Sequence, residues 1–104
     1  MTQTELYKEL KSLGLPIQYH NFTTPPSPPY IVYLFTYSSD LIADNQNYQE
    51  ISNFQVELYS NKKDLISEKL IEDKFKSLSM PYSKTELYID SENLFEVLYE
   101  IKLI

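Results

Sequence analysis

Residues Tyr19 to Tyr37 read YHNFTTPPSPPYIVYLFTY, and no other stretch restricts the fold as tightly. Two proline pairs, Pro25-Pro26 and Pro28-Pro29, run directly into an almost wholly apolar segment. Proline fixes its own φ, lacks an N–H and pushes the preceding residue toward extended geometry. The chain therefore reaches Tyr30 stiff and extended. The Tyr-Ile-Val-Tyr-Leu-Phe run that follows predicts a strand over 30–37, buried on both faces and placed at the centre of a sheet. PxxP spacing occurs at Pro25–Pro28 and again at Pro26–Pro29. Because an apolar strand follows at once, the prolines read as a rigid arm of the domain itself, not as a free recognition motif.

The rest of the pattern builds around that strand. Thr2 and Glu5 have the spacing of a capping box, and Leu6, Tyr7, Leu10 and Leu13 recur at helical period, predicting a helix over 2–13. Gly14, the only glycine, stands where a left-handed cap is wanted, and Pro16 blocks continuation. Ile17 to Phe22 reads as a short edge strand. Ser38 to Asn47 is polar apart from Leu41, Ile42 and Ala43 and reads as a long connection, longer than most hairpin loops. Phe54, Val56 and Leu58 alternate with polar neighbours as in a half-buried strand, and Ile51 is out of phase, which predicts a bulge near Ser52-Asn53. A second helix is expected over 62–78, capped by Asn61, with Asp64 near its N-terminus. Its stripe of Leu65, Ile66, Leu70, Ile71, Phe75 and Leu78 should make it the main cover of the sheet. Thr85–Asp90 and Asn93–Ile104 then pair as strands, with Phe95, Val97, Tyr99, Ile101 and Leu103 on one face. The order α-(β)-β-β-α-β-β predicts an α+β domain with an antiparallel-rich mixed sheet of four to five strands and two helices packed on it.

At 104 residues the chain has room for a single domain over 1–104, one that buries roughly 65% of its unfolded surface. It holds no cysteine, which excludes disulfides, thiolate zinc sites and a cysteine nucleophile. Thr2-Gln3-Thr4-Glu5 does not resemble a signal peptide, and no apolar run approaches the ~20 residues of a spanning helix, so the expectation is a soluble intracellular protein without a membrane partner. Fifteen acidic residues against nine lysines and no arginine give a net charge of −6. Without the guanidinium fork and with this sign of charge, sequence-specific nucleic-acid binding is not expected.

No constellation for catalysis emerges, and the expectation is a non-enzyme with no catalytic, cofactor-binding or metal residues. His20 is the only histidine and has neither a carboxylate nor a second ligand beside it. Asp40, Asp44 and Asn45 invite a calcium reading, but the loop lacks the required register, the distal glutamate and the glycine. Glu72-Asp73 and Glu96/Glu100 read as the wet side of a helix and the outer face of a strand. One glycine cannot build a phosphate cradle. Ten tyrosines fit strand packing for the most part, with Tyr30, Tyr33, Tyr37, Tyr48 and Tyr59 on or beside the central strands. The remainder suit a contact surface, since tyrosine buries a large ring and keeps a hydroxyl for a partner.

The ordered set LGLP, QYHNF, PPSPPYIVYLFTYS, ADNQNY, FQVELYSNKKD and EVLYEIKLI resembles a family of small phage and prophage structural proteins of Gram-positive bacteria. These are described as tail-completion, tail-terminator or head–tail joining components. The resemblance covers nearly the whole chain and implies a ring, typically hexameric, at the head-proximal end of a long tail. Its implied partners are further copies of the chain, the major tail tube protein and the head connector proteins, with DNA passing through the ring. The implied location is the host cytoplasm during assembly and then the virion. On that reading the candidate subunit contacts are Pro25, Pro26, Pro28 and Pro29 in the proline loop, with Tyr37, Asp40, Leu41, Ile42, Asp44 and Tyr48 in and beside the 38–47 connection. The alternative is a small non-catalytic adaptor or regulatory domain that binds another protein.

Overall fold

The structure is a computed structural model that describes all residues, Met1 to Ile104. Helix α1 spans Gln3–Lys11, β1 Ile17–Tyr19, β2 Tyr30–Ser38, β3 Leu41–Ala43, β4 Gln46–Gln49 and β5 Ser52–Ser60. Helix α2 spans Leu65–Ser77, and β6 Ser83–Ile89 and β7 Leu94–Leu103 complete the chain. Five strands form a mixed sheet in the order β1-β2-β5-β7-β6, in which β1 and β2 are parallel and all other neighbours antiparallel; β3 and β4 form a separate two-stranded hairpin. This is the expected α+β architecture.

Local chemistry accounts for the first helix. The Thr2 side chain accepts from the Glu5 N–H at 3.1 Å, and the Glu5 carboxylate accepts from the Thr2 N–H at 3.0 Å, closing the capping box. Gly14 turns the chain out of the helix at φ +84°, a conformation that other residues adopt only with strain. Leu6 and Leu10 are fully buried against the sheet.

The sheet has unlike faces. Ile31, Tyr33, Phe54, Val56, Leu58, Val97, Tyr99, Ile101 and Leu103 share one face and pack with Leu6, Leu10, Ile71 and Phe75 of the helices. The opposite face carries Tyr30, Val32, Gln55, Glu57, Tyr59, Glu96 and Leu98 and has no helix. The crossover from β1 to β2 runs over part of it, since the Phe22 ring meets Tyr30 edge-on at 5.3 Å and Tyr30 stacks on Tyr59. This explains how Tyr30 is buried on the side away from the helices.

Four expectations are corrected. The centre of the sheet is β5, with β2 beside it, and β2 is buried only through Tyr33; from Phe35 it emerges into solvent. The bulge lies in β2, where the register slips between Phe35 and Tyr37, directly across the ladder from Asn53-Phe54, while β5 itself pairs with β7 without a slip. Helix α2 is capped by Asp64 and not Asn61: its carboxylate accepts from the Ser67 N–H at 3.1 Å and from the Ser67 hydroxyl at 2.8 Å. The 38–47 connection is an ordered hairpin. Asp44 and Asn45 form its turn with φ of +52° and +62°, the left-handed pair that a two-residue turn of primed type requires and that Asp and Asn tolerate well.

Candidate functional site

The molecule measures 49 × 29 × 23 Å, and the β3–β4 hairpin leaves the five-stranded sheet between Ser38 and Ser52. Polar groups fix its base. The Asp40 carboxylate accepts from the Ile51 N–H at 2.9 Å and from the Asn47 side-chain amide at 2.8 Å. Those two bonds, the backbone one first, hold the Asp40 carboxyl below its ordinary range. Asn53, buried under the β2 bulge, donates to the Tyr37 carbonyl at 3.1 Å and to the Ser39 hydroxyl at 2.9 Å, and the Thr36 hydroxyl donates to the Asn53 carbonyl. Within the hairpin the register skips Tyr48, which bulges outward. Leu41, Ile42 and Tyr48 are 56%, 73% and 79% exposed. Carboxylate and amide groups thus hold the hairpin in shape, and its apolar side chains are left unused.

The second surface is one that sequence reasoning assigned to the core. The expected apolar stripe of α2 divides: Ile71 and Phe75 are buried, whereas Leu65, Ile66 and Leu70 face solvent. The cause is long-range. β6 turns Lys84 and Glu86 toward the helix layer, and α2 is oriented so that its Glu68 and Glu72 carboxylates meet Lys84. Glu68, 2% exposed, lies 2.7 Å from both Lys63 and Lys84, and Lys63 also pairs with Glu86. Glu72 is therefore not on the wet side of the helix. It accepts from Lys84 at 2.8 Å, Tyr99 at 2.7 Å and Tyr82 at 3.2 Å. Burial pushes the Glu72 carboxyl upward, but the bonds from Lys84 and Tyr99 outweigh it and hold the group below its ordinary value. Beside this network, the rings of Phe75, Tyr82 and Tyr99 meet one another tilted or edge-on, with centroids 5.5 to 5.6 Å apart. The sequence did carry a signal of the division. Leu65 and Ile66 are adjacent, about 100° apart around the axis, so the stripe is too broad for one buried face.

A third cluster lies on the helix-free face. Glu96 is not an outer-face carboxylate, being only 8% exposed. Burial first, then the hydrogen bond and charge of Glu57, push its carboxyl up to about 7. The Tyr59 hydroxyl donates to Glu57 at 3.1 Å. Glu100 remains exposed as expected.

The sequence-derived candidates separate into two places. Tyr37, Asp40, Leu41, Ile42, Asp44 and Tyr48 gather at and beside the hairpin. Pro25, Pro26 and Pro28 lie at the opposite end of the sheet, in a shallow groove with Tyr30, Asn61 and Leu94, and Pro26, Pro28 and Pro29 are half-buried. The prolines pack along their own domain rather than reaching away from it. His20 is exposed at the end of β1 with φ +69°, its N–H donating to the Tyr33 carbonyl. Asp40 is committed to the hairpin base, and no group of three histidine, cysteine, aspartate or glutamate side chains converges as a metal cage. No helix is long and apolar enough to cross a membrane.

Fold and surface together define a small α+β domain with a hydrogen-bonded hairpin bearing exposed apolar side chains at one end and exposed apolar residues on α2 toward the other. A comparison with models of known protein families found no match, and none of the curated proteins matches the chain.

Proposed function

We propose that this chain is a virion structural component, a tail-terminator or head–tail joining protein that assembles as a ring at the head-proximal end of a phage tail. The observation that carries the reading is the hairpin, held in shape by Asp40 and Asn53 while Leu41, Ile42 and Tyr48 point away from the body. A projecting element of this kind suits contact with other protein. A ring further needs two different patches per subunit, and the hairpin and the outer face of α2 are two such patches. The net charge of −6 is compatible with a conduit through which DNA slides, since acidic walls repel phosphate. The resemblance in segment order supplies the location on the tail.

Light scattering of the purified chain, followed by negative-stain imaging with tail tubes, tests the proposal. The expected result is a closed oligomer, alone or once tubes are added, seated at one tube end. A chain that stays monomeric and never associates with tubes or connectors contradicts it. One observation favours the adaptor alternative: β6 ends the sheet with an unpaired outer edge, and Leu87 and Tyr88 on it are half-exposed, as strand addition by a partner requires. Gene neighbourhood separates the two readings, because tail-tube and tape-measure genes beside this one belong only with the first.

A further inference from the structure

We propose that residues 22–29, between β1 and β2, form a hinged strap over the helix-free face, closed while one of the Glu57 and Glu96 carboxyls is uncharged and lifted when both are charged. The strap is tied by backbone only at its ends. His20, at φ +69°, donates its N–H to the Tyr33 carbonyl, and Ile31 donates to the Pro16 carbonyl, each at 2.8 Å. No residue from 22 to 29 makes a backbone–backbone hydrogen bond, and its four prolines have no N–H to give. Thr23, Thr24 and Ser27 face solvent. Side-chain contact alone keeps the strap down. The Phe22 ring meets Tyr30 edge-on at 5.3 Å, and Pro25, Pro26 and Pro28 lie beside Tyr30 and Leu94. A segment with few apolar contacts and no ladder opens at low cost.

Those contacts lead to the two acids. Tyr30, Tyr59, Glu96 and Leu87 stand side by side in one row across the sheet. Tyr30 stacks on Tyr59 at 5.1 Å, and the Tyr59 hydroxyl donates to Glu57 at 3.1 Å. Phe22 thus rests on Tyr30, Tyr30 on Tyr59, and Tyr59 on the acid pair. No cation answers that pair, and neither Glu57 nor Glu96 enters an ion pair. On this face β2 contributes Tyr30, Val32 and Leu34, β6 contributes Ser83, Thr85 and Leu87, and the strap carries no charge. β7 adds a further acid, Glu100, and the face's one strand lysine, Lys102, which is six residues from Glu96, roughly 20 Å along the strand. Asp90 and Glu92 beside the β6–β7 turn add only negative charge, and His20 is exposed at the hinge.

A pair of charged carboxylates in this place needs water. Admitting it moves Tyr59, which removes the surface on which Tyr30 stacks and with it the seat of Phe22. Burial and the neighbouring Glu57 place the Glu96 carboxyl at about 7, so the change falls near neutral pH. Lifting returns Glu96 toward its ordinary value of 4.5, and protons then favour the closed strap. Between about pH 5.5 and about pH 8.5 the ratio of closed to lifted strap should fall by up to about thirtyfold. Lifting uncovers Tyr30 and frees the proline arm, so pH sets whether this end of the sheet is covered.

NMR of the full chain across that pH range reads the strap directly, through cross-peaks between the Phe22 and Tyr30 rings and the amide shifts of the non-proline residues in 21–29. The expected result is a ring contact present at the acid end and lost at the alkaline end, with a midpoint near 7. Glu96→Gln should keep the contact throughout. Glu57→Gln, which removes the like charge and leaves Glu96 in place, should move the midpoint to lower pH. His20→Asn, which keeps a residue tolerant of positive φ at the hinge, should leave the transition unchanged. A ring contact that is constant over the range, or absent at both ends of it, overturns the strap. A transition that survives in Glu96→Gln, stays in place in Glu57→Gln or disappears in His20→Asn overturns the acid pair as its trigger.

Discussion

Ile31 and Ile42 carry the same side chain, yet Ile31 is wholly buried between sheet and helices while Ile42 is 73% exposed on the hairpin. The two regions are held by different means. In the body, Phe75, Tyr99, Leu6 and Leu10 are packed between layers, and burial of apolar surface is what stabilises them. In the hairpin, geometry comes from Asp40, Asn53, the left-handed Asp44-Asn45 turn and a backbone ladder, and none of its apolar residues is buried. The difference teaches that stability and surface chemistry occupy separate residue sets here, so each can be changed without the other.

The largest effect belongs to the body. Phe75→Ala empties a fully buried site between Tyr82 and Tyr99 and should cost about 3–5 kcal/mol in denaturant unfolding. A cost below about 1 kcal/mol would show that α2 is not docked as described.

Next in size is a pH dependence that arises on the helix-free face. Glu96 has its carboxyl raised from 4.5 to about 7 in the folded chain. The folded state therefore binds the proton more tightly than the unfolded state does, and this contribution is fully present below about pH 4.5 and lost as pH rises through about 7. Its size is on the order of 2 kcal/mol. Glu72 has the opposite sign: its carboxyl is lowered, so its contribution is present above its ordinary value of 4.5 and lost as pH falls below it. Stability should thus decline from mildly acidic to neutral pH, and Glu96→Gln should flatten that decline. An unchanged slope in Glu96→Gln would remove Glu96 as its source.

Asn53→Ala tests the join between the regions. It removes the donors to the Tyr37 carbonyl and the Ser39 hydroxyl from a buried place and should cost about 1 kcal/mol. Amide exchange should accelerate across 38–51 while the β5–β7 ladder stays protected. Uniform acceleration would mean that hairpin and body open together.

How much of this was legible depended on the range of the interactions. The first helix could be read because its causes are local: Thr2 with Glu5, then Gly14, then Pro16. The β7 face could be read because Phe95 to Leu103 alternate cleanly. The hairpin was missed because its strands are short and do not alternate, leaving Asp44-Asn45 as the only turn signal. The orientation of α2 was missed because Glu68 and Glu72 find Lys84 on a strand whose register no local pattern reveals. Burial of Glu96 had the same origin, since it depends on Glu57 and Tyr59 of a neighbouring strand. For the surfaces, the sequence marked Leu41 and Ile42 as exposed, but it set Tyr37 and Tyr48 among the strand-packing tyrosines and drew Leu65, Ile66 and Leu70 into the core, and all five face solvent.

The smallest effect on stability falls on the hairpin, and there the account is most exposed to contradiction. Leu41→Ser with Ile42→Ser should leave the unfolding free energy within about 0.5 kcal/mol of the unaltered chain, because both side chains already face solvent. The decisive measurement is the mass of that double variant by light scattering, beside the unaltered chain and in the presence of tail tubes. The account predicts a fully folded variant that stays monomeric under conditions where the unaltered chain assembles. A variant that assembles as readily as the unaltered chain would contradict it.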